Sequence, residues 1–323
     1  MPSLRARTVL FALKHSHWLH LEWRRKPLTF DTDLSRLRAE MDSALRMLGG
    51  VPSEVEVEIT AASRMRAEWL RPLQALPGRA LLYIHGGGYI GGSMAGYRAT
   101  AARFARDCQA VALNFDYRLA PEHPFPAALD DVLAAYAHLR DAGFAPQNIV
   151  FVGDSAGGGL CLAALLALRE YGRPLPAAAV AISPWVDLRP SSRAFHESDP
   201  ALADGLATVC SHYYAGSTPR DEPLLSPLCA ELHGLPPLLL YAGRDEVLRH
   251  EIEQLTGKVQ AAGGDVRLVI GEGMVHDYPL LAPLFPEAQD AFADICAFVR
   301  KHGAAHVSDS GRGLPSADAS SAA

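Results

Sequence analysis

The sequence has no surplus of positive charge and no long apolar run. Its 30 lysines and arginines are outnumbered by 36 aspartates and glutamates, for a formal net charge of −6, and they form no basic stripe. Since nucleic-acid-binding proteins carry such a stripe, no nucleic acid is expected as a partner. The apolar run at residues 9–13 is too short for a signal peptide, and no later run is long enough to span a membrane. These absences predict a cytoplasmic protein with no integral membrane segment.

Cysteine is scarce and poorly placed for disulfide or metal chemistry. The five cysteines are odd in number and widely spaced, and no two of them form a C-x-x-C pair. A disulfide framework or a zinc site needs paired cysteines, so reduced thiols in the core are expected.

The three glycines at residues 86–88 are not followed by Gly-Lys-Ser/Thr, which argues against a phosphate-binding P-loop.

Apolar residues are plentiful and follow an alternating pattern. Hydrophobic residues make up 49% of the chain and charged residues 20%, enough for a large core. Residues 54–59 alternate acidic and β-branched side chains, which predicts a half-buried strand with an antiparallel neighbour at 67–70. Helical patterns separate six further predicted strands, at 80–84, 110–115, 149–152, 177–182, 236–242 and 266–270. This order predicts an α/β fold with a central, mostly parallel sheet flanked by helices.

Three segments depart from this alternation. Residues 1–47 are predicted to form a helical segment, whose basic and apolar first part would lie on a membrane surface or, as we prefer, pack over the protein body. Residues 189–226 are polar and too long for a simple loop, which predicts a helical insertion within the main domain of residues 48–302. The tail of residues 303–323, rich in Ser, Ala and Gly, is expected to be disordered.

A serine stands between a predicted buried strand and a predicted helix. The pentapeptide Gly153-Asp154-Ser155-Ala156-Gly157 has the pattern G-x-S-x-G. A serine on such a tight turn is exposed at the end of the sheet, and the amides of the following helix point toward any anion formed there. Ser155 is therefore predicted to be a nucleophile, although a helix-packing turn that merely contains serine has the same pattern.

The triple glycine allows three interpretations: a flexible loop, a phosphate cradle or an oxyanion hole. His85-Gly86-Gly87-Gly88-Tyr89 directly follows a predicted buried strand. Backbone amides can approach a developing oxyanion closely only where side chains are absent. The G-x-S-x-G turn downstream favours the oxyanion hole. His85 is interpreted as a residue that orients the loop, because it precedes the glycines.

A serine hydroxyl needs a base within hydrogen-bond reach, and the base needs an orienting carboxylate. Asp245 and His276 each follow a predicted strand, in the order serine, acid, histidine. Asp245 also suits a helix N-cap, and Glu246 and Asp187 are its rivals for the acid role. His276 would otherwise be an ordinary loop histidine.

Five motifs together resemble the bacterial hormone-sensitive-lipase-like group (family IV) of α/β-hydrolases. They are His-Gly-Gly-Gly-Tyr, Asp-Tyr-Arg-Leu-Ala-Pro-Glu-His-Pro-Phe-Pro-Ala, Gly-Asp-Ser-Ala-Gly-Gly, Ser-Pro-Trp-Val-Asp-Leu and Gly-Arg-Asp-Glu-Val-Leu. The resemblance covers about residues 50–300 and implies the α/β-hydrolase fold with a helical cap. The cap would comprise residues 1–47 and part of 189–226.

The same resemblance implies roles for individual residues. It implies a triad of Ser155, Asp245 and His276. It implies an oxyanion hole formed by the amides of Gly87, Gly88 and Ala156, with Gly86 as a substitute for one glycine. Ala67-Glu68-Trp69 and the ending Met-Val-His are similar to a subgroup labelled monoterpene ε-lactone hydrolases. Where the family often has Gly-Phe after the histidine, this chain has Asp277-Tyr278.

These observations predict a serine carboxylesterase that hydrolyses short- to medium-chain acyl esters, or lactones, through an acyl-enzyme. Its partner would be a small-molecule ester, and no metal or organic cofactor is implied. The substrate pocket is predicted to include Tyr89, Asp154 and Trp185. An amidase or deacetylase with the same triad, and a ligand receptor without turnover, remain as alternatives. A homodimer formed through an edge strand near the last helix is left open.

Overall fold

One eight-stranded sheet forms the centre of the protein. The computed structural model describes residues 2–14, 27–197 and 199–303. The strands lie in the order β1-β2-β4-β3-β5-β6-β7-β8, where β1 and β2 are antiparallel to their neighbours and the other pairs are parallel. Their bounds are β1 Val55–Ala62, β2 Met65–Pro72, β3 Ala80–Ile84, β4 Val111–Phe115, β5 Ile149–Asp154, β6 Ala178–Ile182, β7 Leu238–Gly243 and β8 Val266–Gly271. The predicted mostly parallel sheet is confirmed.

Helices cover both faces of this sheet. They are α1 Leu4–Lys14, α2 Leu34–Arg46, α3 Met94–Cys108, α4 Ala127–Asp141, α5 Ala156–Glu170, α6 Leu206–Ala215, α7 Arg249–Ala261 and α8 Pro286–His302. Strand β3 and residues 149–152 of β5 are continuous apolar runs, because both faces of these central strands are buried. One core cluster includes Leu82, Phe151 and Leu160, and the other includes Tyr83 and Phe104. The site described below lies at the carboxyl ends of the parallel strands.

The helical prediction for residues 1–47 holds for α1 and α2, and residues 15–26 lie outside the described part of the chain. The side chain of Asp33 caps α2 by accepting the Arg36 amide. In the predicted insertion, α6 is joined by a short 3₁₀ turn at Arg193–Phe195. The tail beyond residue 303 is also outside the described residues. None of the helices in the described ranges is long and apolar enough to cross a membrane, and all five cysteines are free thiols.

Arg38 joins α2 to the loops that follow β3 and β4. Its guanidinium makes two bonds to the Glu122 carboxylate, at 2.7 and 2.8 Å. It also donates to the carbonyl oxygens of Ile90, at 2.7 Å, and Ala120, at 3.0 Å. The sequence suggests a pair between Arg118 and Glu122, but Arg118 instead pairs with Asp131 at 2.8 Å. Arg38 thus fixes the loop that follows β4 to α2.

We expect Arg38→Ala to lower the free energy of unfolding by about 1–3 kcal/mol, because four hydrogen bonds with charged or half-buried groups are lost together. Urea unfolding followed by circular dichroism measures this change. Arg36→Ala is the matched control in the same helix, since Arg36 forms an exposed i,i+4 pair with Glu40. Its expected effect is below about 0.5 kcal/mol. Equal effects of the two substitutions would contradict the bridging role of Arg38.

Candidate active site

Ser155 lies on a strained turn between β5 and α5. Its φ of 51° and ψ of −118° are unusual for a residue other than glycine. The Ser155 amide donates to the Ile182 carbonyl oxygen at 2.8 Å, which fixes the turn against β6. A Cβ at Gly157 would lie 2.0 Å from the Ile84 carbonyl oxygen, so only glycine permits this close contact between α5 and β3. The turn therefore has the geometry of a nucleophile elbow.

His276 lies in the loop after β8, and its imidazole reaches the serine. The distance between His276 Nε2 and Ser155 Oγ is 3.0 Å, within hydrogen-bond range. The residue is buried, with 8% of its surface exposed. The Asp245 amide donates to the Met274 carbonyl oxygen at 2.9 Å, which ties the histidine loop to the turn after β7. The structure thus brings together the predicted serine and histidine.

The carboxylate that faces the other imidazole nitrogen belongs to Glu246 and not to Asp245. Asp245 is exposed, whereas Glu246 is 5% exposed. Glu246 Oε2 lies 3.9 Å from His276 Nδ1, and Nδ1 has no hydrogen-bond partner within the described residues. The Gly243 amide and the Ser183 hydroxyl donate to the same oxygen, at 2.9 and 2.7 Å. The turn after β7 is held so that its second acidic side chain points inward, and the carboxylate found beside His276 Nδ1 is that of Glu246, one of the two rivals for the acid role.

The other rival for the acid role, Asp187, is engaged elsewhere. Both of its carboxylate oxygens accept from the Arg189 guanidinium, at 2.9 Å each. The pair braces the chain just after β6. Asp187 therefore does not contact the imidazole.

Burial and neighbouring carboxylates shift the pKa values of the buried acid and base. Burial raises the pKa of Glu246 to about 7, against the opposing effects of His276, the Gly243 amide and the Ser183 hydroxyl. For His276, burial by itself lowers the pKa, but the carboxylates of Asp277, Glu246 and Asp199 outweigh burial and raise it to about 10. The site therefore favours a protonated imidazole.

The glycine loop presents two unengaged amides. Gly87, Gly88 and Tyr89 have φ values of 119°, 62° and 65°, a run of positive φ that glycine adopts readily. The Gly86 amide donates to Asp154 Oδ2 at 3.1 Å. Among the described residues, no acceptor is found for the amides of Gly87 and Gly88. The Gly86 amide therefore already has an acceptor. This argues against the prediction that Gly86 could replace Gly87 or Gly88 in an oxyanion hole.

His85 supports this loop from below, in agreement with its interpretation as an orienting residue. Its ring stacks on Tyr117, with ring centres 4.2 Å apart, and on Tyr97. Its Nδ1 lies 2.8 Å from the Gly86 carbonyl oxygen. Burial lowers the pKa of His85, so the neutral form is favoured.

Asp154 lies beneath the glycine loop and does not line the pocket predicted for it. Its carboxylate accepts from the Tyr83 hydroxyl at 2.8 Å, the Tyr97 hydroxyl at 3.0 Å and the Gly86 amide. Burial raises the pKa of Asp154 to about 8, and the charge of Asp277 acts in the same direction. Sequence reasoning missed Tyr83, because its position in a buried apolar strand resembles any core aromatic residue. Asp154 is therefore a support for the loop.

A cavity of about 230 Å³ lies against Ser155. Trp185 lines it, as predicted from the sequence, together with Phe195, Leu202, Leu206 and Val247. Tyr89, also predicted for the pocket, instead stacks on Tyr214 with ring centres 3.8 Å apart and is 1% exposed. Its left-handed backbone turns the ring into the core. The wall of the cavity comes largely from the insertion of residues 189–226.

Comparisons with known proteins agree with this geometry. Residues 81–280 match a family described by the alpha/beta hydrolase fold. An acetyl-hydrolase of Streptomyces hygroscopicus is 38% identical over 288 residues, which cover 87% of this chain and 93% of the relative. A crystal structure of the esterase EstE5 soaked with p-nitrophenyl butyrate has a TM-score of 0.84 at 36% identity, covering 93% of this chain and 99% of that one.

A second solved structure is an esterase of the bacterial hormone-sensitive lipase family. It has a TM-score of 0.84 at 35% identity and covers 94% of this chain and 100% of its own. The residues matched by the family model, 81–280, include Ser155 and His276. The chain therefore belongs to the alpha/beta-hydrolase-fold family, among the carboxylic ester hydrolases of the bacterial hormone-sensitive lipase type.

Proposed function

We propose that the protein is a serine carboxylesterase that hydrolyses short- to medium-chain acyl esters, with Ser155 as nucleophile, His276 as general base and Glu246 as the acid. The observation that carries the proposal is the 3.0 Å contact between Ser155 Oγ and His276 Nε2, with a buried carboxylate on the Nδ1 side of the same ring. Glu246 takes the role that sequence reasoning gave to Asp245.

The reaction begins when His276 Nε2 accepts the Ser155 proton while Oγ bonds to the substrate carbonyl carbon. The resulting oxyanion accepts hydrogen bonds from the amides of Gly87, Gly88 and Ala156, each contributing about 3–4 kcal/mol to the transition state by analogy with other hydrolases. The imidazolium returns its proton to the leaving alcohol, and an acyl-enzyme remains. Water, deprotonated by His276, then attacks the acyl carbonyl and releases the acid and free Ser155.

The volume of the cavity favours small acyl groups. At about 230 Å³ it lies below the range of roughly 300–1,000 Å³ that drug-sized ligands occupy. The acetyl-hydrolase name of one relative and the butyrate soaked into another structure point to the same size class. We further propose that α1, α2 and part of residues 189–226 act as the cap over this cavity.

One of the two features that suggested a lactone substrate, the Ala67-Glu68-Trp69 motif, lies away from the site; the other, the Met-Val-His ending, contains His276 itself. Glu68, in the Ala67-Glu68-Trp69 motif, is completely buried and accepts from Arg98 and Asn114 at 2.8 Å each. It belongs to β2, which β4 and β3 separate from β5. The motif thus stabilises the scaffold, and the lactone remains a second candidate substrate that rests on the resemblance alone.

Hydrolysis of p-nitrophenyl esters of increasing acyl length, alongside an ε-lactone, tests the proposal. We expect kcat/KM to be highest for the acetate to hexanoate esters and to fall for longer chains, because the cavity cannot enclose them. A fluorophosphonate probe should modify one residue, Ser155, as read by peptide mass spectrometry. Hydrolysis without labelling of Ser155, or labelling at another serine, would refute the serine mechanism. Binding of esters without turnover would favour the receptor alternative.

A further inference from the structure

The imidazole nitrogen that faces Ser155 has a second acceptor within reach. Asp277 Oδ2 lies 3.2 Å from His276 Nε2, almost as close as Ser155 Oγ at 3.0 Å. Nε2 carries either one proton or one lone pair, so it cannot serve both neighbours equally. Asp277 is the residue that replaces the glycine often found after the family's histidine, and the proposed mechanism assigns it no role.

The backbone holds the Asp277 side chain in this position. Its φ of 56° is left-handed, and its amide donates to the Ser183 hydroxyl at 3.0 Å. The side chain is 21% exposed, and Oδ1 is buried with no hydrogen-bond partner among the described residues. Within those residues His276 is also its one ion-pair partner. A carboxylate in such a place is stabilised most by a proton on Nε2.

The surrounding groups strengthen this preference. Glu246 faces the imidazole from the turn after β7, and Asp199 acts on it from the insertion, where its Oδ2 accepts the Val247 amide at 2.8 Å. Asp154 approaches Asp277 from the end of β5, and the charge of Asp277 raises its pKa. Tyr83 on β3 and Tyr97 on α3 stay neutral. Burial raises the pKa of both hydroxyls, and the charge of Asp154 is the second largest cause.

We propose that Asp277 is a positioning residue that competes with Ser155 for Nε2 of His276 and sets the pH above which the enzyme acts. The inference rests on the proposed serine mechanism. At lower pH the imidazolium donates to Asp277 and cannot accept the Ser155 proton. At higher pH the lone pair of Nε2 and the carboxylate repel each other, and the imidazole turns to Ser155. The same charge makes His276 a stronger base once it is deprotonated.

The dependence of kcat/KM on pH tests this role, since it reports ionisations of the free enzyme. p-Nitrophenyl butyrate is the substrate, and the variants are Asp277→Asn, which keeps the shape, and Asp277→Gly, which suits the left-handed backbone. For the wild type we expect the rise of kcat/KM to continue above about pH 8, beyond the ordinary histidine range. Both variants should shift the rise to lower pH by about one unit or more. They should exceed the wild type several-fold near about pH 6 and have a lower plateau at high pH, because their base is weaker.

Glu272→Gln is the matched control, because Glu272 is an exposed acid of the same loop that pairs with Arg244. Glu272→Gln should leave unchanged the pH at which kcat/KM rises. The proposal would be overturned if, in both folded Asp277 variants, kcat/KM rose at a pH within about 0.3 unit of the wild-type value. A uniform loss of rate without such a shift would not rescue it. If the wild type shows no Ser155-dependent hydrolysis at any pH, the proposed function itself fails, which is a different outcome.

Discussion

Replacing Ser155 with alanine is expected to lower kcat for p-nitrophenyl butyrate by about 10⁴- to 10⁶-fold. The substitution removes the atom that bonds to the acyl carbon and leaves the glycine amides and the cavity in place. Binding of the ester should therefore change little, and the loss should appear in kcat. Stopped-flow release of p-nitrophenol should show a burst with the wild type if deacylation is slow, and no burst with the variant.

The control for this substitution is Ser53→Ala, a change at an exposed serine near the start of β1. It should retain wild-type kcat. Alanine keeps the Cβ and the backbone conformation of Ser155, so the variant is also expected to fold with nearly unchanged thermal stability. A folded Ser155→Ala protein with full esterase activity would exclude the acyl-enzyme at this residue.

Substitution of the two adjacent acids Asp245 and Glu246 is expected to have very different effects on kcat. Glu246→Gln should reduce kcat by about 10³- to 10⁴-fold, because an amide cannot stabilise the imidazolium or hold its tautomer. Asp245→Asn should leave kcat within about threefold, since its side chain is exposed and Glu246 is the group that faces Nδ1. Steady-state kinetics on both variants, with circular dichroism to confirm folding, gives the comparison.

Each substitution is the control for the other, because both remove one negative charge from the same turn. A large loss in Asp245→Asn with normal activity in Glu246→Gln would restore the acid predicted from the sequence. Large losses in both would mean that the turn, and not one carboxylate, is what the histidine loop requires. Only a selective loss in Glu246→Gln supports the proposed triad.

The sheet could be predicted because buried strands have a recognisable apolar sequence pattern. Strands buried on both faces, such as β3 and the first part of β5, are apolar runs, and the observed bounds of β3 equal the predicted ones. Ser155 and His276 followed from the same reasoning, since residues just past the ends of parallel strands meet at one edge. Their 3.0 Å contact is what that argument expects.

The choice between Asp245 and Glu246 could not be made from the sequence. Both are acidic, both follow β7, and one step along a turn decides which points inward. That step is fixed by the Gly243 amide and the Ser183 hydroxyl, and Ser183 comes from a different strand end, 63 residues away. Contacts of this kind leave no local periodicity. For the same reason the hydrogen bond from the Gly86 amide to Asp154, 68 residues away in the sequence, could not be predicted.

The bridge made by Arg38 has a consequence for the order of folding. No residue of α2 is fully buried, and its apolar contact with the core is limited to the half-buried side chains of Leu34, Leu37 and Leu45. Its bonds to Ile90 and Glu122 span 52 and 84 residues, so α2 leaves the ribosome well before its partners exist. The bonds of Arg38 can therefore form only after the loops that follow β3 and β4 have been synthesised. Because its side chains are at most half-buried, we expect α2 to open as a local unit more readily than the fully buried strands β3 and β5, which hydrogen exchange would measure.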